Sequence, residues 1–282
     1  MISRKFATRA LRVLHHAVLI FGVIVFTTPL LWLVATSLKS DEQVVDVSSL
    51  SRILIPHPVK WSNYPAALQY INYARALLNT VFVTFMSVLG VVLSCSLVAY
   101  AFARLSWPGR DAAFLLLLST MMLPYQVTMI PLFLIFTRIG WVNTLRPLWI
   151  GAFFAPAFYV FLLRQFFLTI PKDLEDAAKI DGCGYFGIYA RVMLPLIKPA
   201  VISVVIFQFM AAWNDFLGPL IYIQDRDLAT LSLALQAFQS IHGAEWSLLM
   251  AACTMMILPV IALFLAAQRY FIQGVTLTGL KA

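Results

Sequence analysis

Residues 171–195 read PKDLEDAAKIDGCGYFGIYARVMLP, and this polar stretch between two long apolar runs decides how the rest of the chain is read. Helices in lipid satisfy their own backbone, so a loop this rich in charge and glycine belongs outside the bilayer. Pro171 suits a first helical position, where a missing N–H costs nothing. Asp173, Glu175 and Asp176 then crowd the first turns, where the helix dipole favours negative charge. Leu174, Ala177 and Ala178 fall on one helical face, whose small alanines allow close approach by another protein. Gly182 and Gly184 supply left-handed conformations that end the helix. A second short amphipathic segment with Phe186, Ile188, Tyr189 and Val192 follows, and Leu194-Pro195 leads into the next apolar run. From these residues alone, a self-packed hairpin and a docking element both remain open.

Outward from this island the chain is 62% hydrophobic and 11% charged over 282 residues. Soluble domains carry about 25% charged residues, so the composition indicates a polytopic membrane protein. Spans about 20 residues long are expected near 13–37, 77–103, 112–136, 145–169, 197–222 and 248–270. The run after Arg4, Lys5, Arg9 and Arg12 is too long for a signal-peptide core, so it is read as a retained first span. With both termini inside, thirteen of the 20 Lys and Arg fall on inner segments. The positive-inside rule then puts the polar island in the cytoplasm. The outer segment 224–247 carries Asp225, Asp227, Glu245, Leu231, Leu233, Leu235 and Phe238. It suits either packing on an external protein or a solvated connector. The excess of +8 charge reports membrane orientation, with no aromatic-interleaved patch for nucleic acid.

Sites for covalent chemistry are lacking in the pattern. No GxxxxGK[ST] phosphate loop, HExxH or GxSxG occurs, and the four histidines form no metal-ligand spacing. Cys95, Cys183 and Cys253 read as small buried thiols. Prolines 29, 124, 131, 156, 219 and 259 lie within the expected spans and predict kinks. Asp215, toward the outer end of the fifth span, is a costly intramembrane acid. With Gln208, Trp213 and Asn214 it either lines a hydrated pathway that hydrogen-bonds a solute, or pairs locally to fix helix packing. An ion-coupled secondary transporter is the rival reading. It calls for inverted repeats and buried ion-binding acids, and Asp215 is the one clear acid within a span.

The island resembles the cytoplasmic EAA motif of ABC importer permeases. The pattern is Asp176-Ala177-Ala178, three residues, Gly182, nine residues, then Val192-Met193-Leu194-Pro195, with Asp176 standing for Glu and Val192 for Ile. Nearly the whole chain is similar to MalG-like permeases of carbohydrate importers. The likeness runs through Asn79-Thr80, residues 99–104 (AYAFAR), Pro108-Gly109, residues 161–167 (FLLRQFF), residues 213–216 (WNDF) and residues 268–271 (QRYF). The resemblance implies an all-α, type I ABC importer permease fold, with one transmembrane domain over 1–282 and a coupling loop at 170–196. It implies that Leu174, Asp176, Ala177, Ala178, Asp181 and Gly182 dock into a separate ATPase that holds ATP and Mg. It further implies two such ATPases, a homologous second permease, and a solute-binding protein reached by the 224–247 loop. The implied setting is a bacterial-type cell (inner) membrane, and the implied cargo is a sugar or sugar-like solute, with a glycerol phosphate ester as the alternative.

Overall fold

The computed structural model describes the backbone of residues 2–46, 48–240 and 243–279, and the side chains of 11–46, 48–49, 51–239 and 245–268. The side chains of Arg4, Lys5, Arg9, Arg269, Tyr270, Phe271 and Lys281, and the outer-loop tip at 241–242, lie outside the described residues. The chain runs through α1 (Ile2–Ser37), α2 (Asp41–Val45), α3 (Leu50–Leu54), α4 (Asn63–Tyr70) and α5 (Tyr73–Arg104). α6 (Arg110–Ser119) continues through a 3-10 turn to Met122, and α7 (Tyr125–Arg138) follows. α8 (Arg146–Ile150) and a 3-10 turn (Gly151–Phe154) lead to α9 (Ala157–Thr169). The polar island forms α10 (Asp173–Ile180), α11 (Tyr185–Ile188) and a π-helical turn (Tyr189–Met193), then α12 (Leu194–Leu196). α13 (Lys198–Trp213), α14 (Leu217–Tyr222), a 3-10 turn (Arg226–Leu228) and α15 (Leu231–Ala234) come next. A short hairpin, β1 (Gln239–Ser240) with β2 (Gly243–Ala244), precedes α16 (Trp246–Gly279). Among the described residues the architecture is all-α apart from that hairpin.

Among the described residues, four helical stretches are long and apolar enough to cross a membrane: Leu11–Ser37, Tyr73–Arg104, Arg146–Thr169 and Trp246–Gln268. Two more come as bent pairs. Arg110–Met122 meets Tyr125–Arg138 at 97°, and Tyr185–Leu196 meets Lys198–Trp213 at 79°. The third expected span is therefore not one helix. Pro124 has no N–H to continue the ladder, so it caps α7 instead of kinking a continuous helix. Pro156 likewise stands just before α9, after Ala155 at φ 51°. The fifth expected span, 197–222, is also divided: α13 stops at Trp213, and α14 starts at Leu217.

The chain forms two compact units. The first comprises residues 1–71 and 235–258. No residue of the most apolar 18-residue window of α1 is buried within the chain, as expected of a helix facing lipid, while Thr36 and Ser37 at its C-terminal end are buried. Carbonyls at and just beyond its C-terminus are satisfied by Asn63, as helix ends require. The Asn63 amide donates to the Ser37 and Lys39 carbonyls at 2.8 Å each. Lys39 is 2% exposed, and its ammonium donates to the Ile53 carbonyl. Burial pushes the Lys39 pKa down, because it disfavours the charged form. A small core of Ala67, Phe238, Leu249, Ala251 and Ala252 completes the unit, with Tyr70 stacked on Phe238 at 5.0 Å.

The second unit comprises residues 72–234 and 259–282. Its spine is α5, which packs along both α9 and α13. At Gly90 a Cβ would sit 2.6 Å from the Phe153 ring and 3.1 Å from the Ala152 carbonyl carbon. Glycine permits this close approach. Near the N-terminal end of α5, Asn79 donates to the Asp227 and Ala229 carbonyls at 2.9 and 3.0 Å, and the Thr80 hydroxyl accepts from Leu231 N–H at 2.8 Å. Asn143 holds the same loop through its side-chain oxygen, which accepts from Gln224 and Asp225 N–H.

Candidate functional site

The island folds as a helical hairpin. Lys179 and Ala178 carbonyls accept from Gly182 and Cys183 N–H at 3.0 and 2.9 Å, which is a Schellman closure of α10. Gly182 is left-handed (φ 81°) as the closure demands. Gly184 is not. At φ −71° it is extended and precedes α11, so only one of the two expected glycines ends the helix by a left-handed turn.

The face of α10 that turns inward carries Glu175 and Ala178, which are 6% and 8% exposed. Ala178 packs into this chain's own core with Val160, Leu163, Ile188 and Met193. The expectation that Ala177 and Ala178 share an outward face is thus corrected. Adjacent residues point about 100° apart around a helix, and the core claims Ala178. Leu174 (43% exposed), Asp176, Ala177, Asp181 and Gly182 are on the surface. With them are three apolar side chains that the sequence reading did not place in the site: Ile180 at 88%, Phe186 at 71% and Tyr185 at 65% exposed. Ile180 sits beside the glycine turn, and a β-branched residue stranded between Lys179 and Asp181 was the available signal. Lys179 donates to Asp176 at 3.0 Å, and this hydrogen bond raises the Lys179 pKa by favouring its charged form.

The hairpin is anchored from below by one stripe of α5, residues Ser96, Tyr100 and Arg104. Ser96 shares a 2.7 Å hydrogen bond with the Tyr189 hydroxyl in the π-helical turn. The Tyr100 ring lies 5.5 Å from Tyr189 and 5.8 Å, edge-on, from Phe167. Arg104 Nε is 3.1 Å from Glu175 Oε1, with 4% and 8% of the two side chains exposed. They meet as charges rather than as an aligned hydrogen bond. The guanidinium also donates from Nη2 to the Phe167 and Ile170 carbonyls at the end of α9. Arg164 on α9 returns a 3.3 Å hydrogen bond to the Phe102 carbonyl and stacks over Phe114 at 4.2 Å.

The second group of expected residues clusters at the break after α13. Gln208 is half-buried on α13. Trp213 is 2% exposed and stacks on Phe209 at 5.2 Å, so it packs the helix end instead of lining open space, contrary to expectation. Asn214 is exposed and donates to the Met210 carbonyl at 2.8 Å. Asp215 is not inside a helix. Its carboxylate stands one residue before the Phe216 N-cap position of α14, where it accepts from Gly218 N–H at 3.1 Å and so satisfies one of the free N–H groups of the first turn. The fit is close, since a Cβ on Gly218 would lie 2.4 Å from Asp215 Oδ2. In the outer loop, Leu231 and Phe238 are fully buried, so its apolar residues hold the loop down, while Asp225, Arg226 and Asp227 remain exposed.

Among the described residues no group of three or more His, Cys, Asp and Glu side chains could hold a metal ion. What the hairpin presents is a mixed apolar and acidic surface on a buried base. What the α13 break presents is a capped turn with polar neighbours.

Residues 93–277 match the family of binding-protein-dependent transport system inner membrane components, and the chain belongs to that family. It is a multi-pass membrane permease component of an ABC-type importer. Among its relatives, the arabinooligosaccharides transport system permease protein AraQ of Halalkalibacterium halodurans is 38% identical over 72% of each chain. AraQ of Bacillus subtilis is 32% identical over 92% of each. The diacetylchitobiose uptake system permease protein NgcG of Streptomyces coelicolor is 31% identical over 95% of this chain and 86% of that one. A solved bacterial ABC transporter involved in import of the acidic polysaccharide alginate superposes with a TM-score of 0.81 at 22% identity, covering 94% of this chain and 98% of that one. That likeness concerns the fold.

Proposed function

We propose that this chain is the permease subunit through which a sugar or sugar-like solute crosses the membrane, driven by ATP hydrolysis in separate subunits. The observation that carries the reading is the hairpin surface. Leu174, Ile180, Tyr185 and Phe186 are exposed beside Asp176, Ala177 and Asp181, on a base buried in the chain's core. An apolar patch rimmed by charge on a fixed support suits docking to another protein. In this reading the partner is an ATPase, two copies of which bind ATP and Mg. Gly182 sets the turn, and Ala178 belongs to the support. This chain performs no covalent step. A homologous second permease completes the pathway, to which Gln208, Asn214 and Asp215 contribute polar groups with Trp213 packed beneath them. A binding protein delivers the solute to the outer side, with both termini and the hairpin in the cytoplasm of a bacterial-type cell. The sugar class is supported by relatives named for arabinooligosaccharides and diacetylchitobiose.

The test uses two exposed positions, so that folding is spared. Ala177→Arg combined with Ile180→Asp is expected to insert at wild-type yield and to lose co-purification of the ATPase by at least tenfold. ATPase retained at the wild-type level would overturn the docking role. Import sustained by an ion gradient in ATP-depleted vesicles would overturn the energy source.

A further inference from the structure

The hairpin is joined by the chain to α9 on one side and α13 on the other, yet its tightest polar attachment is to neither. We propose that Arg104 and Glu175 form a positioning strut that makes the coupling hairpin and the end of α5 move as one body, so that the long spine helix carries the stroke. The inference rests on the coupling role proposed above.

Three observations carry it. First, two opposite charges meet with only 4% and 8% of their side chains exposed. Such burial is costly, and hydrophobic residues of similar size often hold a fold as well. A buried ion pair in this place suits a contact that has to be specific in direction. Second, Arg104 ties three elements at one point: its own α5, the last carbonyls of α9 through Phe167 and Ile170, and α10 through Glu175. A guanidinium has a planar array of donors that can serve several acceptors at fixed angles, which lysine lacks. Third, the attachment has a second polar point about two turns along the same face of α5, where Ser96 meets Tyr189. Two points fix an orientation as well as a distance. The covalent route onward is weaker, because Tyr189–Met193 is π-helical and the path into α13 then turns by 79°. A bent joint transmits poorly, and a 32-residue helix clamped near its end transmits well.

The experiment uses the assembled transporter in proteoliposomes. One variant is Glu175→Gln, which keeps the shape and removes the charge. The other is the double variant Arg104→Gln/Glu175→Gln, which leaves no buried charge unpaired. Retention of the ATPase, binding-protein-stimulated ATP hydrolysis and solute import are measured on each. The strut predicts that assembled variants keep their ATPase and import at least fivefold less solute per ATP hydrolysed. A contact that serves stability alone predicts lowered yield in the single variant, recovery in the double, and an unchanged import-to-hydrolysis ratio. A ratio within twofold of wild type in either variant overturns the strut. Failure of the unsubstituted chain to retain an ATPase overturns the coupling reading instead. Should neither variant assemble, spin labels at Asp173→Cys, exposed on α10 outside the docking patch, and at Ser106→Cys, in a chain with its native cysteines replaced by serine, decide the matter. The strut expects their separation to be the same without nucleotide and with trapped ATP, and a change of several ångströms overturns it.

Discussion

Asp215 shows how a single side chain changes meaning once its neighbours are known. As an acid within an apolar run it invites a role in solute contact, but its carboxylate is engaged by the Gly218 N–H at the start of α14. Asparagine caps helices about as well as aspartate. Asp215→Asn is therefore expected to keep thermal stability in detergent and import within about threefold. Asp215→Ala is expected to cost about 1 kcal/mol, read as a lowered Tm. Loss of import in the asparagine variant at full stability would assign the charge itself to the pathway. The capping role was legible in part: Asn214-Asp215 followed by Gly218-Pro219 is a helix-start pattern, masked by the apolar residues around it. Glu175 was less legible. Its partner Arg104 lies far earlier in the chain, on α5, and no local periodicity links the two.

At the level of elements, α5 meets the Gly151–Phe154 turn at a separation that one hydrogen atom fills and a methyl group does not. Gly90→Ala is expected to push the Phe153 ring and strain the Ala152 backbone, a cost of about 1–3 kcal/mol for overpacking. The measurement is the unfolding midpoint of the purified chain, and an unchanged midpoint would mean that the turn shifts freely. The hairpin itself could be read from the chain in large part, since the acids, the Gly182 turn and the amphipathic second arm all act locally. Which of two adjacent alanines faces inward could not, because both are small and only the tertiary partner chooses. The bends were half-legible for a related reason. Pro124 announces a break, but whether a helix kinks or turns through 97° depends on what packs against it.

For the whole chain, apolar run length marks the candidate crossings, since about 20 residues span the hydrocarbon regardless of packing. Among the described residues, four apolar helical stretches and two bent pairs fall on the six runs, four to six crossings according to whether each bent pair is one span. Sidedness is the remaining global property, and the proposed orientation makes it measurable. A cysteine at Asp173, exposed on the hairpin outside the docking patch, is expected to react with a membrane-impermeant maleimide only after cells are permeabilised, whereas one at Trp61, 69% exposed, reacts in intact cells. Reversal of the pattern would invert the orientation and remove the hairpin from any cytoplasmic ATPase.

The right-angled pair at α6 and α7 has one more implication. One arm is a 10-residue helix with its 3-10 turn, and the other is a 14-residue helix. Each reaches only about 20 Å at about 1.5 Å per residue, short of a hydrocarbon layer about 30 Å thick. The corner between them, residues 119–127, lies bare on this chain. Oily surroundings punish bent backbone that has neither protein nor water against it. A solitary copy is therefore a poor tenant of a bilayer, and the molecule's comfort in lipid is a property of the company it keeps.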